Sequence, residues 1–159
     1  MTSAATPTFE TIRFAVEANV AKITLNRPQR LNAAPPQMFA EIHQALQLLP
    51  DLGARALLVT GEGRAFCSGA DLQAHASANA APQTTTRGER SFKALTETYA
   101  PTMLAFSKLS VPVVTAVNGA AAGIGCSLAL AGDFTLAGKS AYFLQAFVNI
   151  GLVPDGRSS

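Results

Sequence analysis

The chain has 159 residues, of which 48% are apolar and 14% are charged, and its formal net charge at neutral pH is +2. This length and composition fit one folded domain with a sizeable core, spanning residues 1–159, and exclude an intrinsically disordered chain. A net charge this small gives no reason to expect a nucleic-acid or membrane partner.

The first third of the chain predicts a β-hairpin followed by a helix. Residues 10–17 and 19–25 alternate apolar and polar side chains, which is typical of two strands, and Ala18-Asn19 between them fits a tight turn. A helix is predicted to begin near Pro36, because proline is well tolerated in the first helical turn. Its apolar face is expected to consist of Met38, Phe39, Ile42, Leu46 and Leu49.

Short apolar runs later in the chain predict parallel strands. Residues 55–60 and 111–117 are expected to be buried strands, and residues 134–137 are expected to form a third strand of the same kind. The alternation of these strands with helices predicts an α/β fold.

The stretch between the first two of these strands has a polar part and a helical part. Residues 73–90 are small and polar and are expected to form a surface loop. Residues 91–109 return to helical spacing, and Pro101 is expected to kink or interrupt that helix. The side chains predicted for its apolar face are Phe92, Leu95, Tyr99, Met103 and Phe106.

Two glycine-rich segments each follow an apolar strand, and they are the candidate functional motifs. The first spans residues 63–72 and the second spans residues 118–127. Glycine lets the backbone approach a ligand closely, and a strand-to-helix junction presents N–H groups that attract negative charge. Two such N–H groups converging on one point would form an oxyanion hole, which stabilises a thioester enolate without a charged side chain.

Other interpretations of these segments stay open from the residues alone. Gly123-Ile124-Gly125 after a strand could begin a nucleotide-binding loop, although Leu128 stands where the third glycine of that motif is required. The glycines could instead permit tight packing of helix on strand. Nearby arginines could contact a phosphate-bearing ligand or could be solvated surface residues; they are Arg27, Arg30 and Arg64.

Several other kinds of site and location are not indicated. Cys67 and Cys126 form no CxxC motif, so neither a disulfide framework nor a metal site is predicted. Residues 1–8 lack the pattern of a signal peptide, and the longest apolar stretch, residues 120–131, is too short and too glycine-rich to span a bilayer. A cytoplasmic location is therefore expected.

The two glycine-rich segments and their flanks together resemble the crotonase (enoyl-CoA hydratase/isomerase) family, in its N-terminal portion. The stretches that carry the resemblance are residues 23–33, 63–72, 112–133 and 151–156. The resemblance implies a crotonase-type spiral of ββα turns, a homotrimer for the full-length family, and an acyl-CoA substrate. Coenzyme A enters as part of that substrate, and no separate cofactor is implied.

The resemblance also assigns the residues that would bind the thioester. The backbone N–H groups of Ala70 and Ile124 would form the oxyanion hole. The coenzyme A groove would be lined by Arg30, Leu31, Ala33, Ser68, Gly69, Asp71, Leu72 and Gly123. The arginines beside it would meet phosphates through charge-assisted hydrogen bonds.

The acid/base residues bear on the reaction type. Hydratases of the family use two glutamates, and Ser127 and Phe147 stand at those positions here. A carboxylate occurs at Asp155, in a context that resembles the ring-epoxide and double-bond isomerases of phenylacetyl-CoA catabolism. Phe143 and Phe147 would form an apolar acyl pocket and raise the pKa of Asp155. From its local sequence alone, Asp155 in Pro-Asp-Gly could equally be a turn residue.

The expected function is therefore that of an enoyl-CoA isomerase in fatty-acid or aromatic-acid catabolism. The alternatives are an enoyl-CoA hydratase, which is a lyase, and an inactive CoA-binding protein. Family members continue well beyond Ser159, so a truncated fold that lacks the C-terminal trimerisation helices and has low solubility is expected.

Overall fold

The computed structural model describes residues 7–71 and 86–145, and it begins with the predicted hairpin. Strand β1 (Ile12–Glu17) pairs antiparallel with β2 (Val20–Leu25), with Ile12 opposite Leu25. Ala18 and Asn19 both have positive φ, 48° and 62°. Two successive residues of this kind are what a two-residue hairpin turn requires, so the hairpin is confirmed.

Helix α1 (Pro36–Gln47) has the predicted start and the predicted apolar face. Pro36 lies in its first turn, where the missing N–H breaks no helical hydrogen bond. The side chains that form the buried face are Met38, Phe39, Ile42 and Leu46, and Leu49 is buried just beyond the helix end. The aromatic ring of Phe39 packs edge-on against Tyr99, with ring centroids 4.8 Å apart.

After the hairpin, the described chain alternates between two sheets, one that includes the antiparallel hairpin and one that is parallel throughout. A five-stranded sheet has the order β1-β2-β3-β5-β7, and a three-stranded sheet has the order β4-β6-β8. Every pair beyond the hairpin is parallel. The ranges are β3 (Ala56–Gly61), β4 (Ala65–Cys67), β5 (Val113–Val117), β6 (Ala120–Ala122), β7 (Phe134–Ala137) and β8 (Tyr142–Leu144). Strands β3, β5 and β7 are each followed by a short strand in the other sheet, so the path winds as a spiral.

The helical segment after the first spiral turn begins earlier than predicted. Helix α2 (Arg87–Ala94) starts with a capping box, in which Thr86 Oγ1 accepts the Glu89 N–H at 3.2 Å and Glu89 Oε2 accepts the Thr86 N–H at 2.6 Å. These bonds from Thr86 lower the pKa of the Glu89 carboxyl. The predicted loop is therefore wrong for residues 87–90. Its part at residues 73–85 lies outside the described residues.

A π-helical turn (Leu95–Tyr99) separates α2 from helix α3 (Ala100–Ser107). Pro101 lies in the first turn of α3, so the predicted interruption occurs beside it. A π turn adds about one residue, which rotates the preceding residues by about 100° around the helix. Phe92 is consequently 68% exposed, and its predicted place on the apolar face is wrong. The partners predicted beyond the π turn, Met103 and Phe106, are buried.

Strand β7 is parallel, as predicted, but it is not buried. Phe134 and Leu136 are 63% and 64% exposed. The strand forms the edge of the five-stranded sheet and pairs with β5 on one side among the described strands. Burial of an apolar strand depends on what covers its two faces, which a short run of residues does not reveal.

Among the described helices, none combines the length and apolarity needed to cross a bilayer.

Candidate functional site

The two glycine-rich segments lie side by side in the three-stranded sheet. Strands β4 and β6, which belong to the first and second segment, pair in parallel with Ala65 beside Ala120 and Cys67 beside Ala121. The sequence predicted two simple strand-to-helix turns, whereas each segment contains an additional short strand. These strands bring the two turns into register with each other.

Backbone of the two segments is in direct contact at glycines. A Cβ atom on Gly125 would lie 2.4 Å from the Cys67 carbonyl oxygen, and one on Gly119 would lie 2.1 Å from the Arg64 oxygen. Gly69 has φ +106°, and its Cβ would lie 3.1 Å from the Ala122 oxygen. The tight-packing interpretation of these glycines is therefore confirmed, and it is compatible with a site between the two segments.

The second segment turns into helix α4 (Ile124–Ala129) at Gly123. Gly123 has φ 52° and ψ −126°, and its N–H donates to the Leu144 oxygen of β8 at 2.9 Å. Its carbonyl accepts the Cys126 N–H at 2.9 Å. The N–H of Ile124 lies in the first turn of the helix, where backbone donors have no helical acceptor.

The first segment is held on its other side by residues 31–34. The Ala34 N–H donates to the Gly69 oxygen at 2.8 Å, and the Ala34 oxygen accepts the Asp71 N–H at 3.1 Å. In a parallel ladder these bonds flank Ala70, so the N–H of Ala70 itself points away from Ala34. Residues 31–34 lie on one side and β6 on the other, so this N–H is directed to the side of the second segment.

A buried asparagine fixes the loop that leads into residues 31–34. Asn32 is 0% exposed, and its Oδ1 accepts the Arg27 backbone N–H at 2.8 Å. Its Nδ2 donates to the Glu62 oxygen at 3.0 Å and the Ala65 oxygen at 2.8 Å. These bonds let Asn32 hold φ 53° without a glycine. The sequence placed Asn32 only within the predicted groove segment of residues 30–33, because the hydrogen-bond partners of its side chain include Glu62 and Ala65, which are distant in the chain.

The arginines near the site have different environments. The Arg27 Nη1 atom lies 2.8 Å from Asp71 Oδ2, and this guanidinium also donates to the Ala33 oxygen. Asp71 is 4% exposed, so the pair is largely buried. Arg30 is 41% exposed, with its Nη2 4.0 Å from Asp71 Oδ1, and Arg64 is exposed. Arg27 is therefore not a solvated surface residue, while Arg30 and Arg64 remain accessible to a ligand.

The structure brings together most of the residues predicted for the groove. Leu31 is bonded to the first segment, because its oxygen accepts the Ser68 N–H at 3.0 Å. Phe143 lies on β8, the third strand of the same three-stranded sheet, beside Ala121, and it is 42% exposed. The predicted residues that lie outside the described residues are Leu72, Phe147 and Asp155.

The cysteine of the first segment is not poised as a nucleophile. Burial raises the pKa of the Cys67 thiol to about 11, and its Sγ faces the Gly69 oxygen at 4.0 Å. A thiol of this pKa carries almost no thiolate at neutral pH. Cys67 is therefore disfavoured as a nucleophile.

Comparison with known proteins agrees with this geometry. The chain is 44% identical over 147 residues to a Rhodobacter capsulatus protein named probable enoyl-CoA hydratase, covering 92% of this chain and 53% of the relative. It is 43% identical over 143 residues to the 1,2-epoxyphenylacetyl-CoA isomerase of Escherichia coli, covering 88% and 52%. The crystal structure of an enoyl-CoA hydratase from Polaromonas sp. JS666 matches with 35% identity and a TM-score of 0.78, covering 91% and 55%.

The chain spans about half the length of the curated relatives it matches. The spiral that winds between the two sheets is the crotonase fold that the sequence predicted. A family model described as enoyl-CoA hydratase/isomerase matches residues 15–159. The chain therefore belongs to the enoyl-CoA hydratase/isomerase (crotonase) family.

Proposed function

We propose that this chain binds an acyl-CoA thioester and stabilises its enolate as an enoyl-CoA isomerase does, with the N–H groups of Ala70 and Ile124 as hydrogen-bond donors. One observation carries the proposal. The two glycine-rich segments are in backbone contact at Gly69 and Gly125, and the parallel bridge to Ala34 leaves the Ala70 N–H on the side away from Ala34. Both donors come from main chain that is already fixed by hydrogen bonds.

Such an arrangement suits a charge that develops during the reaction. The thioester oxygen gains negative charge when a proton leaves the neighbouring carbon, and fixed N–H dipoles need no reorganisation to receive it. Phe66, Cys67 and Ile124 are buried beside these N–H groups, and hydrogen bonds are electrostatically stronger in such surroundings than in water. Loss of one donor of this kind typically costs about 2.7–4 kcal/mol of barrier.

The isomerase assignment depends on which carboxylates are available. Ser127 occupies the position of the first hydratase glutamate, and it is buried in α4 with 2% exposure. A serine hydroxyl does not act as an acid/base near neutral pH, so addition of water by a two-glutamate route is disfavoured. In the proposed reaction Asp155 removes a proton from C2 of a 3-enoyl-CoA and returns it to C4, moving the double bond into conjugation with the thioester.

The test is turnover of a 3-enoyl-CoA, followed by the absorbance of the conjugated product. We expect Asp155→Asn to abolish turnover and leave binding of acetyl-CoA unchanged. The matched control is Asp51→Asn, because Asp51 is an exposed aspartate in the turn after α1. Turnover that survives in Asp155→Asn would overturn the acid/base assignment.

Two alternatives give different results in the same assays. A chain that adds water to crotonyl-CoA without moving a 3-enoyl double bond is a hydratase. One that binds acetyl-CoA and turns over neither substrate is a CoA-binding protein. The homotrimer of the full-length family is likewise a proposal for the whole protein, and sedimentation velocity would measure it.

A further inference from the structure

The loop between β3 and β4 is tied to both sides of the candidate site by asparagine side chains. Asn32 donates from its Nδ2 to the Ala65 oxygen at 2.8 Å. Asn118, the first residue of the second glycine-rich segment, donates from its Nδ2 to the Gly63 oxygen at 2.7 Å and makes a longer contact of 3.4 Å with the same Ala65 oxygen. One carbonyl therefore joins two side chains that lie 86 positions apart in the sequence.

Each asparagine lies on a backbone segment that leads to one of the proposed oxyanion donors. Asn32 precedes Ala34 by two residues, and Ala34 forms the ladder on both sides of Ala70. Asn118 precedes β6, which leads directly through Gly123 to Ile124. Movement of Asn32 is thus transmitted through the hydrogen bonds of Ala34 to the backbone around Ala70, and movement of Asn118 is transmitted along β6 to Ile124.

We propose that Asn32 and Asn118 form an asparagine brace, a pair of positioning residues that fixes the spacing between the Ala70 and Ile124 amides. The proposal rests on the proposed oxyanion function. Neither side chain is assigned to touch the substrate. Their role is exerted through the shared Ala65 carbonyl and the backbone that each one anchors.

The two side chains differ in a way that separates positioning from stability. Asn32 is fully buried, and both atoms of its amide group are hydrogen-bonded. Asn118 is only half-buried, and within the described residues no donor reaches its buried Oδ1. An unpaired buried acceptor offsets part of what the Nδ2 bonds contribute to stability. Replacement of Asn118 is therefore expected to leave the fold intact while it loosens the brace.

The experiment measures how strongly the protein polarises a bound thioester. Acetyl-CoA labelled with ¹³C at the thioester carbonyl is bound at saturation, and its carbonyl stretch is recorded by isotope-edited infrared spectroscopy. Hydrogen bonds from the oxyanion donors lower this frequency. The reading depends on donor geometry in the bound complex, so a variant that is merely less stable but folded leaves it unchanged.

We compare wild type with Asn32→Gly, Asn118→Ala and the matched control Asn19→Gly. Asn19 also has positive φ, at 62°, but it lies exposed in the hairpin turn far from the brace. We expect the control to show the same lowering of the carbonyl frequency on binding as wild type, and both brace variants to lose most of that lowering. Glycine at position 32 accepts the left-handed backbone, removes the side-chain bonds and adds backbone freedom at that one position.

The outcomes distinguish the two proposals. An unshifted carbonyl in wild type overturns the oxyanion function and the brace with it. A full shift in wild type together with a full shift in the brace variants overturns the brace alone. If Asn32→Gly fails to fold, Asn118→Ala decides the matter by itself, because an undiminished shift in that variant contradicts the brace.

Discussion

Replacement of Gly125 by alanine tests whether the two glycine-rich segments are in backbone contact. The added Cβ would lie 2.4 Å from the Cys67 carbonyl oxygen, 2.7 Å from Cys67 Cβ and 2.8 Å from Cys67 Sγ. The nearest atom belongs to the backbone, so no side-chain rotation relieves the overlap. Relief requires β4 and α4 to separate, which disturbs the pairing of β4 with β6.

The cost follows from overpacking at a rigid contact. Forcing an extra carbon into a well-packed site costs about 1–3 kcal/mol, and the upper end applies where backbone must move. A chain of this length loses about 2–4 °C of melting temperature per kcal/mol, so a fall of about 6–12 °C is expected for Gly125→Ala. Binding of acetyl-CoA is expected to weaken as well, since the same contact positions the candidate donors.

The assay is thermal and urea unfolding followed by circular dichroism. Gly88→Ala serves as the control, because Gly88 lies in α2 with only the Thr86 Oγ1 atom 3.9 Å from an added Cβ. Alanine in an open helical position stabilises by about 0.5–1 kcal/mol. Equal stability of Gly125→Ala and wild type would refute the contact between the segments.

Three further predictions concern the buried thiol, the ion pair and the edge strand. Burial raises the pKa of Cys67 from 9.0 to about 11, so the unfolded chain loses the thiol proton at a lower pH than the folded chain. The free energy of unfolding therefore keeps the full contribution of this thiol below pH 9 and falls by about 3 kcal/mol as the pH rises through 11. Urea unfolding at pH 8 and pH 11 measures this fall, which Cys67→Ala is expected to reduce, leaving the part that comes from the pKa of Cys126, which burial also raises. Asp71→Asn leaves the charge of the largely buried Arg27 without its partner and is expected to lower the free energy of unfolding by about 3 kcal/mol. The control Asp51→Asn, at an exposed position, is expected to unfold like wild type in the same urea titration. Leu136→Thr removes an exposed apolar side chain from edge strand β7 and is expected to reduce self-association, measured by sedimentation velocity. An unchanged distribution of sedimentation coefficients would show that Leu136 does not contribute to self-association.

Much of the fold was predictable because it is encoded in local patterns. The hairpin turn depends on two adjacent residues, Ala18 and Asn19, and on strands whose alternation is clear. Helix α1 carries both a proline at its start and an apolar face over three turns. The parallel strands β3 and β5 are apolar and bounded by glycine or proline, so their type was readable before their partners were known.

The predictions of secondary structure and burial were wrong or incomplete where the conformation of a segment depends on contacts with distant parts of the chain. The three short strands of the second sheet have three residues each, too few for an alternating pattern to be recognised. Phe92 left the apolar face because a π turn, which has no sequence rule, changed the helical register. The capping box at Thr86 and Glu89 was visible in the sequence as T-x-x-E, and it is the signal that would have placed the start of α2.

The candidate site was predictable as two segments but not as an assembly. The ion pair of Arg27 with Asp71 joins residues 44 positions apart. The side chains of Asn32 and Asn118 likewise donate to backbone oxygens at residues 62–65, which are distant from both asparagines in the chain. Side chains that bind backbone oxygens leave no pattern of spacing, and only the three-dimensional contacts identify them.

The convergence of the Ala70 and Ile124 amides on one thioester oxygen is tested most directly by NMR of the ¹⁵N-labelled protein. Spectra are recorded with acetyl-CoA and with the ethyl thioether of coenzyme A, which has the same size but no carbonyl. We predict that both amide protons move downfield with the thioester and that neither does so with the thioether. A thioester that binds at saturation and leaves these two amides where the thioether leaves them would contradict the assignment.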